Sequence, residues 1–171
     1  KVVAKGGASA RAATVAEAAA QSDVLLLATP WDAAQQALGS AGDLSGKVLL
    51  DATNPLAPDL SGLTIGTTTS AGEQVAQWAP GARVVKILNT VGFNIMDNPK
   101  FGQDRPVMFY CGDNGEAKRI AAELASELGF GPIDAGPLTQ ARLLEPFALL
   151  WISLALVHGQ GREIAFKLMR R

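Results

Sequence analysis

Three short polar segments carry the side chains of this sequence that are best suited to bind an organic ligand. They are Thr29-Pro30-Trp31, Thr53-Asn54-Pro55 and Asn89-Thr90. Hydroxyl and amide groups can hydrogen-bond a carboxamide or a ribose, and proline holds a loop rigid and presents a flat apolar surface. Each segment taken alone is more typical of a turn. A ligand site becomes as good an explanation as three turns only if all three lie at one edge of the fold.

The sequence offers little for nucleophilic, acid–base or metal chemistry. Cys111 is the only cysteine and adjoins an apolar stretch, which predicts a buried thiol without a disulfide. His158 is the only histidine, and we interpret it as structural. No serine lies in a G-x-S-x-G motif, and Asp51 is expected to bond local backbone. This scarcity suits hydride transfer between two bound cofactors, which depends on stacking and orientation.

Apolar runs separated by helix-like segments predict the elements that position these loops. The runs span residues 23–29, 47–52, 83–88 and 106–111, with weaker ones at 10–13 and 131–134. Short runs rich in Val, Ile and Leu are typical of strands in a parallel sheet that is covered on both faces. The polar segments follow the first three runs directly. We therefore expect them at the carboxyl edge of the sheet, where open α/β folds bind ligands.

Helices are predicted between the strands and over the C-terminal section. Possible capping boxes begin at Thr14, Ser70 and Asp113. The alternation favours an α/β fold, a Rossmann-like doubly wound parallel sheet over residues 1–137, with a helical section over residues 138–171 in the same folding unit. Residues 147–157 are apolar on every side, which predicts a helix buried in the core or in a partner.

Composition excludes several classes of protein. Hydrophobic residues make up 48% of the 171 residues and charged residues 18%, which suits a domain with a real core. The net charge is −1 and no basic stripe occurs, so we expect no nucleic-acid partner. Residues 147–157 are too few to cross a bilayer, which needs about 20 residues. We expect a cytoplasmic protein without membrane contact.

Five successive blocks of the chain resemble the F-420-dependent NADP oxidoreductases. They are DVLLLATPWDA (23–33), GKVLLDATNPL (46–56), ARVVKILNTVG (82–92), PVMFYCGDN (106–114) and DAGPLTQARLLEPFALLW (134–151). The block order and the GPL…ARLLE segment are the more specific signals. The resemblance implies a dinucleotide-binding domain, a homodimer formed through the C-terminal helices, and hydride exchange between NADP(H) and the deazaflavin coenzyme F-420 or a flavin-like acceptor.

The same resemblance implies roles for the polar segments. The cofactor-binding positions, which would lie along the NADP nicotinamide or near that end of NADP, are Thr29, Pro30, Trp31, Asn54 and Pro55. The positions that would border the deazaflavin are Asn89, Thr90 and Val91. Some members of the family carry a histidine where this chain has Asn89, so the second substrate stays open. No residue is assigned a catalytic role, and no metal site is expected. The alternative for Trp31 is that it caps the sheet.

The sequence lacks the strand, G-x-G-x-x-G turn and helix with which the family opens, so it is interpreted as truncated at its N terminus. The sheet should then have an open, hydrophobic edge beside residues 23–29. Two alternatives remain. One is an NADP-dependent reductase of another small substrate, such as an imine or a metal-bound electron carrier. The other is a non-enzymatic nucleotide-binding or dimerisation module.

Overall fold

A five-stranded sheet forms the centre of the molecule in a computed structural model that describes residues 6–171. The strands are β1 (Val24–Leu27), β2 (Val48–Asp51), β3 (Arg83–Lys86), β4 (Val107–Gly112) and β5 (Gly131–Asp134), and they lie in that order. The β1–β2, β2–β3 and β4–β5 pairs are parallel. The predicted Rossmann-like α/β fold is therefore confirmed.

Strand β4 runs antiparallel to β3, which departs from a fully parallel sheet. A parallel crossover normally needs a helix long enough to carry the chain back along the sheet. The connection between β3 and β4 holds only the short helix α4, Phe93–Asp97, and a turn closed by a bridge between Phe101 and Asp104. The chain therefore enters β4 from the end at which it left β3.

Helices cover both faces of the sheet. Besides α4 they are α1 (Val15–Ala20), α2 (Trp31–Gly39), α3 (Ala71–Trp78), α5 (Gly115–Glu127) and α6 (Ala141–Ile152). The predicted caps at Thr14 and Ser70 form, and each side chain accepts the backbone N–H three residues on. At α5 the cap is one residue later than predicted. Asn114 caps the helix, because the Asp113 carboxylate accepts the N–H of Leu138 instead.

Successive residues of the central strands point to opposite faces, and each face has its own apolar cluster. Leu49 and Val84 join the cluster under α2, α3 and α6. Leu50 and Val85 join the cluster under α5. All four side chains are at most 5% exposed, so β2 and β3 form the most deeply buried part of the sheet.

The C-terminal section is helical only in part, and the prediction of a helix to residue 171 is wrong beyond Val157. Helix α6 continues into a π-helical turn, Ser153–Val157, and the helical run then ends. Gly159 and Gly161 have φ angles of +69° and +75°, which break helical geometry. The tail returns along the sheet, where the N–H of Val107 donates to the carbonyl of Phe166.

Residues 147–157 are not buried on all sides within the chain. The inner face of α6 is buried, but Leu143, Leu150 and Val157 are 66%, 49% and 62% exposed. These three residues recur every seventh position and form one stripe, called here the outer stripe. Burial of this stripe by a second copy stays a prediction.

Residues 10–13 do not form the weak strand that their sequence suggested. Ala10 is extended, with φ −100° and ψ 135°, but residues 11–13 are exposed and unassigned. A strand needs a neighbouring backbone ladder, and none among residues 6–171 lies beside this segment. Within those residues β1 pairs only with β2, and Val24 and Leu26 are 41% and 53% exposed.

Candidate functional site

A cleft of about 730 Å³ opens at the carboxyl edge of the sheet. The loops that follow β1, β2 and β3 form its walls together with α4. Of the predicted site residues, those that line it are Thr29, Pro30, Trp31, Asn54, Asn89 and Val91. Pro55 and Thr90 do not line it, although they lie in the same loops. The three polar segments thus meet at one edge, as the strand pattern predicted.

Asn54 and Asn89 hold each other across the floor of the cleft. The Asn54 Nδ2 donates to the Asn89 carbonyl at 2.8 Å, and the Asn89 Nδ2 donates to Asn54 Oδ1 at 3.1 Å. The Asn89 Nδ2 also donates to the carbonyl of Leu144 in α6 at 3.2 Å. Because a carbonyl can only accept, this contact fixes which end of the Asn89 amide is the nitrogen.

The remaining end of the Asn89 amide has no partner within the described part of the chain. Its Oδ1 is buried and makes no hydrogen bond, and the side chain of Thr29 has an unpartnered buried hydroxyl in the same cleft. Asn89 is only 4% exposed. A buried polar atom without a partner costs about 1–3 kcal/mol. A ligand N–H that reaches Asn89 Oδ1, or a ligand carbonyl that reaches the Thr29 hydroxyl, would remove this cost.

Pro55 and Thr90 lie behind the wall of the cleft. Thr90 is 1% exposed. The Pro55 carbonyl accepts from the backbone N–H of Thr64 at 2.7 Å and from its hydroxyl at 3.1 Å. Pro55 thus closes the loop over residues 55–64, several residues of which line the cleft. These two residues are placed to support the wall.

The Trp31 side chain contacts both another aromatic ring and the cleft. Its ring stacks on Trp78 of α3, with centroids 5.1 Å apart and an interplanar angle of 27°. The side chain also lines the cleft. The sheet-capping and the ligand-facing interpretations are therefore compatible, and the stacking with Trp78 gives a flat, rigid wall.

The side of the cleft formed by α4 is bordered by the C-terminal tail. Phe93 lines the cleft and is 70% exposed, and the Arg162 guanidinium lies 4.9 Å from its ring centroid. The Asn94 Nδ2 donates to the Arg162 carbonyl at 2.9 Å and to Glu163 Oε1 at 2.8 Å. The sequence did not predict this contribution, since the tail was expected to be helical.

A buried charge cluster under the cleft was missed by sequence reasoning. It consists of Asp51, Lys86 and Glu145, which are all 0% exposed. The Lys86 Nζ lies 2.7 Å from Asp51 Oδ2 and 3.0 Å from Glu145 Oε1, and it donates to the Thr53 carbonyl at 2.8 Å. The available signal was a lysine inside an apolar strand and a glutamate inside an apolar helix, because such charges are rarely buried unless paired.

The excess negative charge of the cluster is met by the N terminus of α3. Glu145 accepts the N–H groups of Ala71 and Gly72 at 2.9 and 3.0 Å. Burial lowers the pKa of Lys86, but the charges of Asp51 and Glu145 raise it by more, so the net direction is upward. Lys86 is therefore protonated near neutral pH.

Asp51 and Cys111 behave as the sequence indicated. Asp51 Oδ1 accepts from the backbone N–H of Thr53 at 2.9 Å and from its hydroxyl at 2.7 Å. Cys111 is fully buried, and burial raises the pKa of its thiol to about 12. The thiol is therefore protonated near neutral pH and is a poor nucleophile.

Comparison with known proteins identifies a matching family and two kinds of reductase. The sequence profile of the family described as NADP oxidoreductase, coenzyme F-420-dependent, matches residues 1–55. The F-420-dependent NADP reductase of Methanothermobacter marburgensis is 34% identical over 155 residues, which cover 84% of this chain and 67% of the reductase. The metalloreductase STEAP3 of Rattus norvegicus is 31% identical over 134 residues, which cover 78% of this chain but 26% of that protein.

A solved structure gives the same assignment. A protein from Arthrobacter, provisionally described as an F-420-dependent NADP reductase, superposes with a TM-score of 0.84 at 34% identity. The match covers 92% of this chain and 74% of that one. Sequence and fold therefore agree over most of the described residues, and the chain belongs to the family of coenzyme F-420-dependent NADP oxidoreductases.

Proposed function

We propose that the full-length gene product transfers a hydride between NADP(H) and a deazaflavin, coenzyme F-420, or a flavin-like acceptor. The observation that carries this proposal is the cleft at the carboxyl edge, whose lining includes Asn89 and Thr29, each with a buried polar atom that lacks a partner. An amide-bearing planar ring fits these two atoms, because it offers an N–H to Asn89 and a carbonyl to Thr29.

The residues of the cleft suit a reaction that needs orientation and little proton chemistry. Nicotinamide supplies the hydride chemistry when it is bound. Trp31 offers a flat wall, Asn54 and Asn89 lock the floor, and Val91 and Met96 add apolar surface. Among residues 6–171, one carboxylate lines the cleft, that of Asp32 at the exposed start of α2. Stacking and exclusion of water are thus the contributions of this chain.

A second acceptor class is supported by the likeness to the rat metalloreductase. In this alternative the nicotinamide site is the same, and the electrons pass to a metal-bound carrier. A non-enzymatic nucleotide-binding module is the third candidate. The three candidates differ in which acceptor accelerates oxidation of the bound nicotinamide: a deazaflavin or flavin, a metal-bound carrier, or none.

The test is a titration of the full-length gene product with NADPH, NADH, reduced coenzyme F-420 and flavins, followed by nicotinamide or deazaflavin absorbance. We expect NADPH to bind, and Asn89→Ala to weaken binding or turnover about tenfold through the lost hydrogen bond. The matched control is Asn98→Ala, since Asn98 is an exposed asparagine at the end of α4. Absence of cofactor binding, or equal effects of both variants, would contradict the proposal.

We also propose that the outer stripe, Leu143, Leu150 and Val157, packs against a second copy of the chain. The helical run Leu138–Val157 is 20 residues long with a mean hydropathy of 1.4, which is long and apolar enough to cross a membrane by length and composition. However, Glu145 near its middle is held inside the domain by the charge cluster. This favours a core and interface helix in a soluble, cytoplasmic protein.

The molar mass of the full-length protein in detergent-free buffer tests both points. We expect a dimer, and Leu150→Glu should shift it toward the monomer because a charge in an apolar interface loses its hydration. Leu168→Glu is the control, since Leu168 is 45% exposed and lies in the tail. A monomeric wild type, or a protein recovered only with detergent, would refute this assignment.

A further inference from the structure

A closed circuit of polar contacts runs beneath the floor of the cleft and returns to its starting point. Its members, in order, are Glu145, Lys86, Thr53, Asn54, Asn89 and Leu144. Chain connectivity joins Thr53 to Asn54 and Leu144 to Glu145. The circuit therefore connects α6 to the cleft by two routes, one ionic and one through amides.

Each route ends at or next to a residue that lines the cleft. The ionic route ends where Lys86 binds the Thr53 carbonyl, and this fixes the residue before Asn54. The amide route ends where Asn89 donates to the Leu144 carbonyl, and this aims the free Asn89 Oδ1. A shift of α6 relative to β3 would therefore change the orientation of both asparagines.

Stability alone is a weak explanation for the buried charge cluster. Well-packed apolar residues in place of a buried ion pair are often as stable or more stable. In addition, an ion pair outside the circuit already joins α3 to α6. Arg142 binds Glu73 through two contacts, at 2.9 and 2.6 Å. This pair does not belong to the circuit, so it can serve as a matched control.

We propose that Glu145 and Lys86 are positioning residues of the cleft, which act through the circuit to hold Asn54 and Asn89 in their ligand-binding orientation. The inference rests on the proposed function, because the ligand is the cofactor ring assigned to this cleft. Glu145 is the sensitive point. The Glu145 carboxylate accepts from the Lys86 ammonium and from two N–H groups at the α3 N terminus. A glutamine there would turn its own N–H toward one of these donors, and that contact would be lost.

The experiment compares Glu145→Gln with Arg142→Gln in the full-length gene product. Both variants loosen the contact between α3 and α6, but only Glu145→Gln breaks the circuit. The first readout is the side-chain amide NMR signals of Asn54 and Asn89, assigned by their loss in the alanine variants. We expect Glu145→Gln to shift or broaden them and Arg142→Gln to leave them in place.

The second readout is NADPH titration and turnover. We expect Glu145→Gln to lower kcat/KM or raise the NADPH Kd by about tenfold or more through misplacement of the ring, and Arg142→Gln to change them much less. If Glu145→Gln does not fold, Glu145→Asp keeps the charge and withdraws it by one methylene, and a smaller effect of the same kind is expected. Unshifted asparagine signals in a folded Glu145 variant, or equal effects of the two changes, would overturn the inference. A wild type that binds no cofactor but shows the NMR effect would instead overturn the proposed function alone.

Discussion

The centre of the sheet and its β1 edge are built from nearly the same residues but differ in the burial of one face. Leu26 of β1 and Leu50 of β2 are partners in the parallel ladder. Leu50 is 2% exposed, whereas Leu26 is 53% exposed. An apolar groove of about 260 Å³ lies between β1, α1 and α2. The two strands thus have similar sequences, and their burial differs only because their neighbours in the folded structure differ.

The comparison shows that burial is a property of the sheet and not of the strand. Strand β2 has a partner strand along each edge, and each of its faces is covered by one of the two apolar clusters. Strand β1 pairs on one side only within residues 6–171, and an apolar strand with a free edge is an aggregation hazard. This agrees with the open hydrophobic edge that the sequence predicted beside residues 23–29.

The largest expected difference between the two regions lies in the leucine pair. In residues 1–171 expressed alone, Leu50→Ala should destabilise the fold by about 2–5 kcal/mol, since it leaves a cavity in a closed core. Leu26→Ala should cost about 1 kcal/mol or less, because about half of the side chain is already in water. Urea unfolding of both variants measures the two costs.

The same two variants, measured in the full-length gene product, test whether the β1 edge is covered there. If a further segment or a partner covers the β1 edge there, the cost of Leu26→Ala should rise toward that of Leu50→Ala. An unchanged small cost would mean that the edge stays open. Equal large costs in residues 1–171 alone would contradict the burial difference on which the comparison rests.

Short-range patterns were sufficient to predict most of the fold. The apolar runs located all five strands, and the Thr14 and Ser70 caps depend on residues three positions apart. The direction of β4 and the path of the tail were not predictable in this way. They depend on how the chain packs after α4 and after Gly159, and no local pattern encodes that packing.

The candidate site was predictable only at the level of loops. Strand ends placed Thr29, Asn54 and Asn89 at one edge, because the carboxyl ends of parallel strands meet there. The pairing of Asn54 with Asn89 joins residues 35 positions apart. The Lys86 and Glu145 contact is longer still in sequence, and its partners look like isolated charges in apolar runs. Such contacts exist only once the tertiary fold is formed.

The N-terminal caps of α1 and α3 repeat the comparison on a smaller scale. Thr14 and Glu17 form a capping box beside the open groove, whereas Ser70 caps α3 in the core and the partly buried Glu73 carboxylate binds Ser70 Oγ and Arg142. Hydrogen bonds from Thr14 lower the pKa of Glu17, which is fully exposed. Hydrogen bonds from Arg142 chiefly lower the pKa of Glu73 below the ordinary 4.5, and Ser70 adds to this effect.

The smallest expected effect is therefore a difference in acid sensitivity between Glu73→Gln and Glu17→Gln. A carboxylate with a lowered pKa in the folded state stabilises the fold above the unfolded pKa, and this contribution is lost as the pH falls through the folded pKa. Glu73→Gln should cost about 1 kcal/mol near neutral pH, because the side chain is only 19% exposed and binds Arg142 through two contacts. The difference from wild type should shrink as the pH falls below the ordinary 4.5 and through the lowered pKa of the folded state, because both states then bind the proton. Glu17→Gln should give a smaller change that salt screens, since water competes for every group in its box. Urea midpoints of the wild type and both variants between about pH 7 and pH 3 measure the pH dependence of each stability difference. An equal pH dependence of the two variants would show that burial does not distinguish the two caps.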